Sequence, residues 1–234
     1  MILYDHIFLI LFTVVYPAYV FFSYHKIKHQ LVENKPGLRK SDYQLTSFWL
    51  WLMGLSNIIL WIFSDRSFEL LGFAFDSYWP ISIGILFSCL IIIYFFSLIK
   101  KIRGSEQERL SFRNKLNDTD AVEFLPKNIV EFKWFVLLSI SAGVCEEMLF
   151  RGYLFWYFEM FDNIAITIVI SSLLFGLAHS YQGWSGIIRT ALMGLFMAII
   201  YAVAGLLWIP IFLHILVDIY GGIIALLAYE EVNV

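Results

Sequence analysis

The sequence predicts an all-α protein, a polytopic transmembrane helix bundle of about seven spans, or eight. Two observations carry this expectation. Of the 234 residues, 60% are hydrophobic and 19% aromatic, and the mean hydropathy is +0.76, too apolar for a water-soluble domain of ordinary composition. The apolar residues also gather in runs of about 20, the length a helix needs to cross the hydrocarbon core. A net charge of -3 implies no nucleic-acid partner.

Taken in order, the first run covers residues 4–22. The opening 1-MILYDHIFLI-10 has no basic leader and no small-residue cleavage site, so it reads as a retained span instead of a signal peptide. Further spans are expected at 45–63, 78–99, 133–158, 163–180, 184–204 and 207–228. Between the second and third, 65-DRSFELLGFAFD-76 is short and polar at both ends, which suits an interfacial helix or loop. After the third, residues 100–127 form the strongly hydrophilic block, an extended helix and loop on one membrane face. The chain shows no internal repeat.

Cytoplasmic loops retain Lys and Arg, so basic residues set the orientation. The first loop carries Lys26, Lys28, Lys35, Arg39 and Lys40, and the third carries a larger set from Lys100 to Lys133. The second loop has only Arg66, and 159-EMFDN-163 has no base. The first and third loops are therefore expected inside and the N-terminus outside. With seven spans the tail 229-YEEVNV-234 lies inside; an eighth would move it out.

Ionisable residues inside the expected spans concentrate in the second half of the chain, and the first half lacks such a set. They are Glu146, Glu147 and Arg151 in the fourth span, His179 in the fifth, Arg189 in the sixth, and His214 with Asp218 in the seventh. A charge at the bilayer centre costs at least ~2.5–3.5 kcal/mol on insertion scales, so such residues mark functional sites by default. Arg189 is near enough to a helix end to snorkel and is read as structural. Residues four apart share a helix face, whereas adjacent ones are turned by about 100°. Glu147 and Arg151 can therefore pair within their helix, while Glu146 points elsewhere. Phe175 and His179 share a face, as do His214 and Asp218. Gly143, Gly152, Gly176, Gly194, Gly221 and Gly222 would let helices approach closely. Cys89 and Cys145 lie in apolar runs and read as small buried hydrophobes, neither a disulfide nor a nucleophile.

Each of these residues has a bland reading. A single intramembrane His commonly bonds one helix to another, and an i,i+4 Glu/Arg pair commonly neutralises itself. The number of such groups argues otherwise, because an unpaired carboxylate, two His and an Asp must all find partners. A buried carboxylate beside a histidine can take a proton from water and deliver hydroxide to a carbonyl. A second histidine with an Asp or Asn can bind the oxyanion. No serine lies in a GxSxG context, and HExxH is absent. Two His and a Glu could hold a zinc from three helices, which the spacing neither supports nor excludes.

At these residues the sequence resembles the CPBP family of intramembrane endopeptidases, which includes the eukaryotic prenyl-protein CAAX endopeptidase and bacterial bacteriocin-processing and immunity (Abi) proteins. EExxxR reads as Glu146, Glu147 and Arg151; FxxxH as Phe175 and His179; HxxxN or HxxxD as His214 and Asp218. The resemblance implies that Glu146 is the general base, assisted by His179. Glu147 and Arg151 would be the supporting ion pair, and His214 with Asp218 the oxyanion side. Where prenyl-protease members carry Asn, this chain has Asp218. An ionised Asp cannot donate a hydrogen bond, so Asp218 is protonated, orients His214 or helps bind a metal. A metal is left open; if present, it would sit on Glu146, His179 and His214.

The implied function is hydrolysis of a peptide bond in a membrane-associated protein or peptide, of CAAX type or in bacteriocin-related processing. Two other readings stand beside it. One is a non-catalytic scaffold or self-immunity protein that retains the fold. The other is a proton-coupled transporter, disfavoured by the missing repeat. The expected organisation is one integrated membrane domain, with N-terminal spans and the hydrophilic loop over 1–132 and a catalytic helix core over 133–228. The expected setting is a prokaryotic plasma membrane, with lipid and a peptide or protein substrate as partners.

Overall fold

The computed structural model describes residues 2–32, 37–73 and 79–229. Lys35, residues 74–76 of the second loop and residues 230–234 of the tail lie outside them, as do the side chains of Lys26 and Lys28. Among the described residues the chain is helical throughout, without strands. The helices are α1 (Leu3–Ile10), α2 (Tyr16–Val32), α3 (Leu38–Phe63), α4 (Trp79–Gly104), α5 (Glu106–Asn117), α6 (Ile129–Glu147), α7 (Leu154–Phe158), α8 (Ile164–Ala178), α9 (Gly183–Ala204) and α10 (Trp208–Tyr229). A π-helical turn, Leu11–Val15, joins α1 to α2, and a second, Met148–Tyr153, joins α6 to α7. Each pair therefore runs as one continuous rod.

Every expected span coincides with a helix. Among the described residues, five segments are long and apolar enough to cross a membrane: Leu3–Tyr24, Leu38–Phe63, Ile81–Gly104, Ser180–Ala204 and Trp208–Tyr229. α8 is apolar but shorter, and the α6–α7 rod carries the charged trio. The chain is an integral membrane protein built as a helix bundle. Second-span hydropathy starts later than α3 itself, because 38-LRKSDYQ-44 is helical yet polar. Polar side chains set other ends. Asn128 accepts from the amides of Val130 and Glu131, and Asn163 from those of Ala165 and Ile166, which fixes the starts of α6 and α8. Asn163 thereby turns α8 back against the α6–α7 rod.

α6 is the central helix, packed between α3 and α10, while α8 and α9 form a tight pair and α4 leans on α10. Glycines explain the close approaches. A Cβ at Gly176 would lie 2.8 Å from the Ile187 carbonyl, and one at Gly143 would lie 2.4 Å from Cγ1 of Ile215. Gly221 has no such neighbour, so the close-packing role expected of it does not hold. Cys145 is buried against this core, but Cys89 is exposed, because α4 turns most of its surface outward.

The first half of the chain does hold buried charge, contrary to the expectation from sequence. Asp5 and Arg39 have 0% and 2% of their surface exposed. Arg66 binds Asp5 through two parallel bonds of 2.8 and 2.7 Å, with its guanidinium 4.1 Å from the Trp156 ring centre. Tyr153 donates to the Asp5 carbonyl at 2.7 Å. Arg39 donates to the carbonyls of Glu123 and Leu31 and pairs with the Glu123 carboxylate at 3.4 Å. Neither residue is visible to a hydropathy scan, since each sits near a helix end and its partner lies far away in sequence.

Candidate active site

The charged trio sits where α6 becomes the π turn. Glu147 and Arg151 are both fully buried, and Arg151 Nη1 donates to Glu147 Oε1 at 2.9 Å. The expected intrahelical pair forms, although the second residue lies inside the widened turn. Arg151 reaches further, donating from Nη2 to the Gly194 carbonyl of α9 at 2.9 Å and lying 4.5 Å over the Phe175 ring of α8. The arginine thus ties three helical rods together at one point.

Glu147 has a second partner that sequence reasoning missed. His214 Nδ1 lies 2.7 Å from Glu147 Oε1. The carboxylate bonded to Arg151 can only accept, so the His214 proton sits on Nδ1 and Nε2 faces the other way. From there Nε2 is 4.0 Å from Glu146 Oε2 and 3.7 Å from Asp218 Oδ2. The two glutamates diverge in direction, yet they meet opposite edges of one imidazole ring that spans the gap between them.

His179 is fixed in a similar way. Its Nδ1 lies 2.8 Å from the Phe175 carbonyl, which can only accept, so Nδ1 carries the proton. In the neutral ring the Nε2 lone pair is then free, 3.8 Å from Glu146 Oε2. That oxygen is buried and takes no hydrogen bond from any described residue. The side chains of Glu146 and His179 are each 15% exposed and that of Asp218 34% exposed, so the site opens on the Asp218 side. Arg189 lies apart from the cluster, exposed on α9 and bonded to Ser185 at 3.1 Å.

Four sequence-named residues, Glu146, His179, His214 and Asp218, therefore gather from α6, the end of α8, and α10, with Glu147, Arg151 and Phe175 behind them. Two further residues complete the setting, Gly194, expected from sequence only to permit close packing, and Ser171, to which the sequence assigned no role. Gly194 offers its carbonyl to Arg151, and Ser171 donates to the Phe150 carbonyl at 2.7 Å. Among the described residues, no three His, Cys, Asp or Glu side chains are gathered as a metal-holding group. A tetrahedral zinc bound at about 2.0–2.2 Å keeps its donors about 3.3–3.5 Å apart. Glu146 Oε2 lies 3.8 and 4.0 Å from Nε2 of His179 and His214, wider than that spacing.

Comparison with known proteins gives one result. The family model described as Rce1-like, type II CAAX prenyl endopeptidase, matches residues 128–220. No curated protein and no solved structure matches the chain. The matched segment starts at the Asn128 cap of α6 and ends two residues past Asp218, so it holds every residue of the cluster. It supports CAAX-type intramembrane protease activity in general terms. Over residues 128–220 the chain is thus similar to the Rce1-like CAAX prenyl endopeptidases, the CPBP group that its three motifs resemble.

Proposed function

We propose that the protein is an intramembrane endopeptidase that hydrolyses a peptide bond in a membrane-associated protein or peptide with water activated by Glu146 and His179. The observation that carries this reading is the meeting of an unbonded, buried Glu146 oxygen with the free edges of two histidines, at 3.8 and 4.0 Å. Such separations are too long for direct hydrogen bonds and suit a water held at the apex between two acceptors. Glu146 and His179 take a proton from that water as its oxygen attacks the substrate carbonyl. His179 can pass the proton to the leaving amine, because its Nε2 alone is free to exchange it.

The tetrahedral oxygen then needs donors. His214 supplies one through Nε2 only when its ring carries both protons, since Nδ1–H is committed to Glu147. Asp218, 3.7 Å from that nitrogen, is a donor when protonated and an acceptor that orients His214 when ionised. Glu147 and Arg151 hold this side in place. In this reading residues 133–228 form the catalytic core, and residues 1–132 brace it and shape the approach of the substrate.

The test compares the membrane peptidome of cells making wild-type protein with that of cells making Glu146→Gln. A peptide produced only with wild type names the substrate and its cleavage site together. Identical peptidomes, with both proteins folded and equally abundant, would overturn the enzyme and leave the scaffold.

A further inference from the structure

We infer that Ser171 is a positioning residue for the Glu146–His179 pair, pinning the register of α8 against the rod that carries Glu146. This rests on the enzymatic reading of the site above.

Four residues of α8 and its end, Thr167, Ser171, Phe175 and His179, are spaced four apart and form one stripe. Each meets the α6–α7 rod. Thr167 donates to the Phe158 carbonyl at 3.5 Å, and Ser171 to the Phe150 carbonyl at 2.7 Å. The Phe175 ring packs 5.0 Å from the Phe150 ring and lies under Arg151, and His179 faces Glu146. As α8 advances its partners step backwards, from 158 through 150 and 151 to 146, so the two rods run antiparallel and in register. Within the stripe, the Ser171 bond is the short, directional and wholly buried one: Ser171 is 0% and Phe150 4% exposed.

The bond is unlike those of neighbouring hydroxyls. Ser172, Ser139 and Ser88 each donate to the carbonyl four residues back in their own helix, the usual resting place of a serine in a membrane span. Ser171 instead crosses to a carbonyl inside the π turn, where the change from i−4 to i−5 bonding opens the main chain to an outside donor. Such a link matters because no direct bond holds Glu146 to His179 at 3.8 Å. His179 is itself bonded to the Phe175 carbonyl and so moves with α8. A one-residue slip of α8 would carry the imidazole about 1.5 Å along the axis.

The experiment uses full-length protein in lipid nanodiscs and a peptide cleaved by wild type but not by Glu146→Gln. Ser171→Ala should lower kcat by about ten- to a hundredfold, the scale of an ångström-level misplacement, with KM within about twofold. Ser171→Thr, which keeps the hydroxyl, should restore the rate. Register is read without substrate from spin labels at Ile140→Cys and Leu173→Cys, both outward-facing, in a Cys89→Ser background where Cys145 stays buried. Ser171→Ala should shift or broaden that distance distribution, and Ser171→Thr should not. If the alanine variant does not fold, Ser171→Cys, a weaker donor, replaces it in the kinetics. An unchanged kcat, or a lowered kcat with an unchanged distance distribution, overturns the assignment. If wild type cleaves no peptide, the enzymatic reading fails, while the spin-label distances still decide the register.

Discussion

Two of the buried arginine–carboxylate clusters among the described residues, those around Asp5 and around Glu146, differ in how completely they are satisfied. In the Asp5 cluster every strong group has a partner: Arg66 makes two bonds to the carboxylate, the Ile2 amide donates to it at 2.8 Å, and Trp156 covers the guanidinium. In the Glu146 cluster, Glu146 Oε2, Glu147 Oε2 and Arg151 Nε are buried and unbonded among the described residues. Unmet hydrogen bonds in a low-dielectric interior are costly, so a fold retains them where they serve another purpose. The first cluster reads as a clasp between the N-terminal helix, the second loop and the rod, and the second as a working site.

Substitutions can break this contrast at both ends. The largest effect is expected on turnover: Glu146→Gln and His179→Ala should each lower peptide cleavage by about a thousandfold, within the range of lost general acid–base catalysis, while thermal melting in detergent stays near wild type. Full activity in either variant would sink the mechanism. Next, Arg151→Met leaves the Glu147 charge buried beside His214 and should cost about 3–5 kcal/mol of stability. Glu147→Gln with Arg151→Met removes both charges and should melt closer to wild type; a double mutant no better than the single would show that the pair is not coupled. A smaller loss, about 1–3 kcal/mol, is expected for Asp5→Asn, which keeps the shape but weakens the bonds to Arg66. Its kcat should not change, because the clasp lies outside the reacting groups; a kcat drop matching that of Glu146→Gln would erase the distinction between the clusters. Arg189→Ala, at an exposed position, should change neither melting nor turnover.

Much of this was legible in the sequence. Runs of about 20 apolar residues gave the spans because a helix must satisfy its own backbone in lipid. The three motifs stood out because ionisable residues are rare there. Other features left no such trace. Asp5 looks like the polar end of a hydrophobic run, Arg39 like a loop base that orients the chain, and Ser171 like any serine in a helix. Each acquires its role from a partner 61, 84 or 21 residues away, and no local pattern encodes such a pairing. The spacing of Thr167, Ser171, Phe175 and His179 was in plain view, but only the facing rod gives it meaning.

By itself the sequence determined the class of the protein, the placement of its helices and which residues of its second half carry charge into the expected spans, because hydropathy and the 3.6-residue period are local properties of the chain. It also separated Glu146 from Glu147 by the turn between neighbours. Tertiary structure alone decided that both glutamates meet the same histidine, that Arg151 ties α6, α8 and α9 together through a π turn, and that the Glu146 oxygen is left unbonded between His179 and His214. Those outcomes depend on how the rods lie against one another, which is set by close approaches such as Gly143 on Ile215 and Gly176 on Ala191 and not by any single helix.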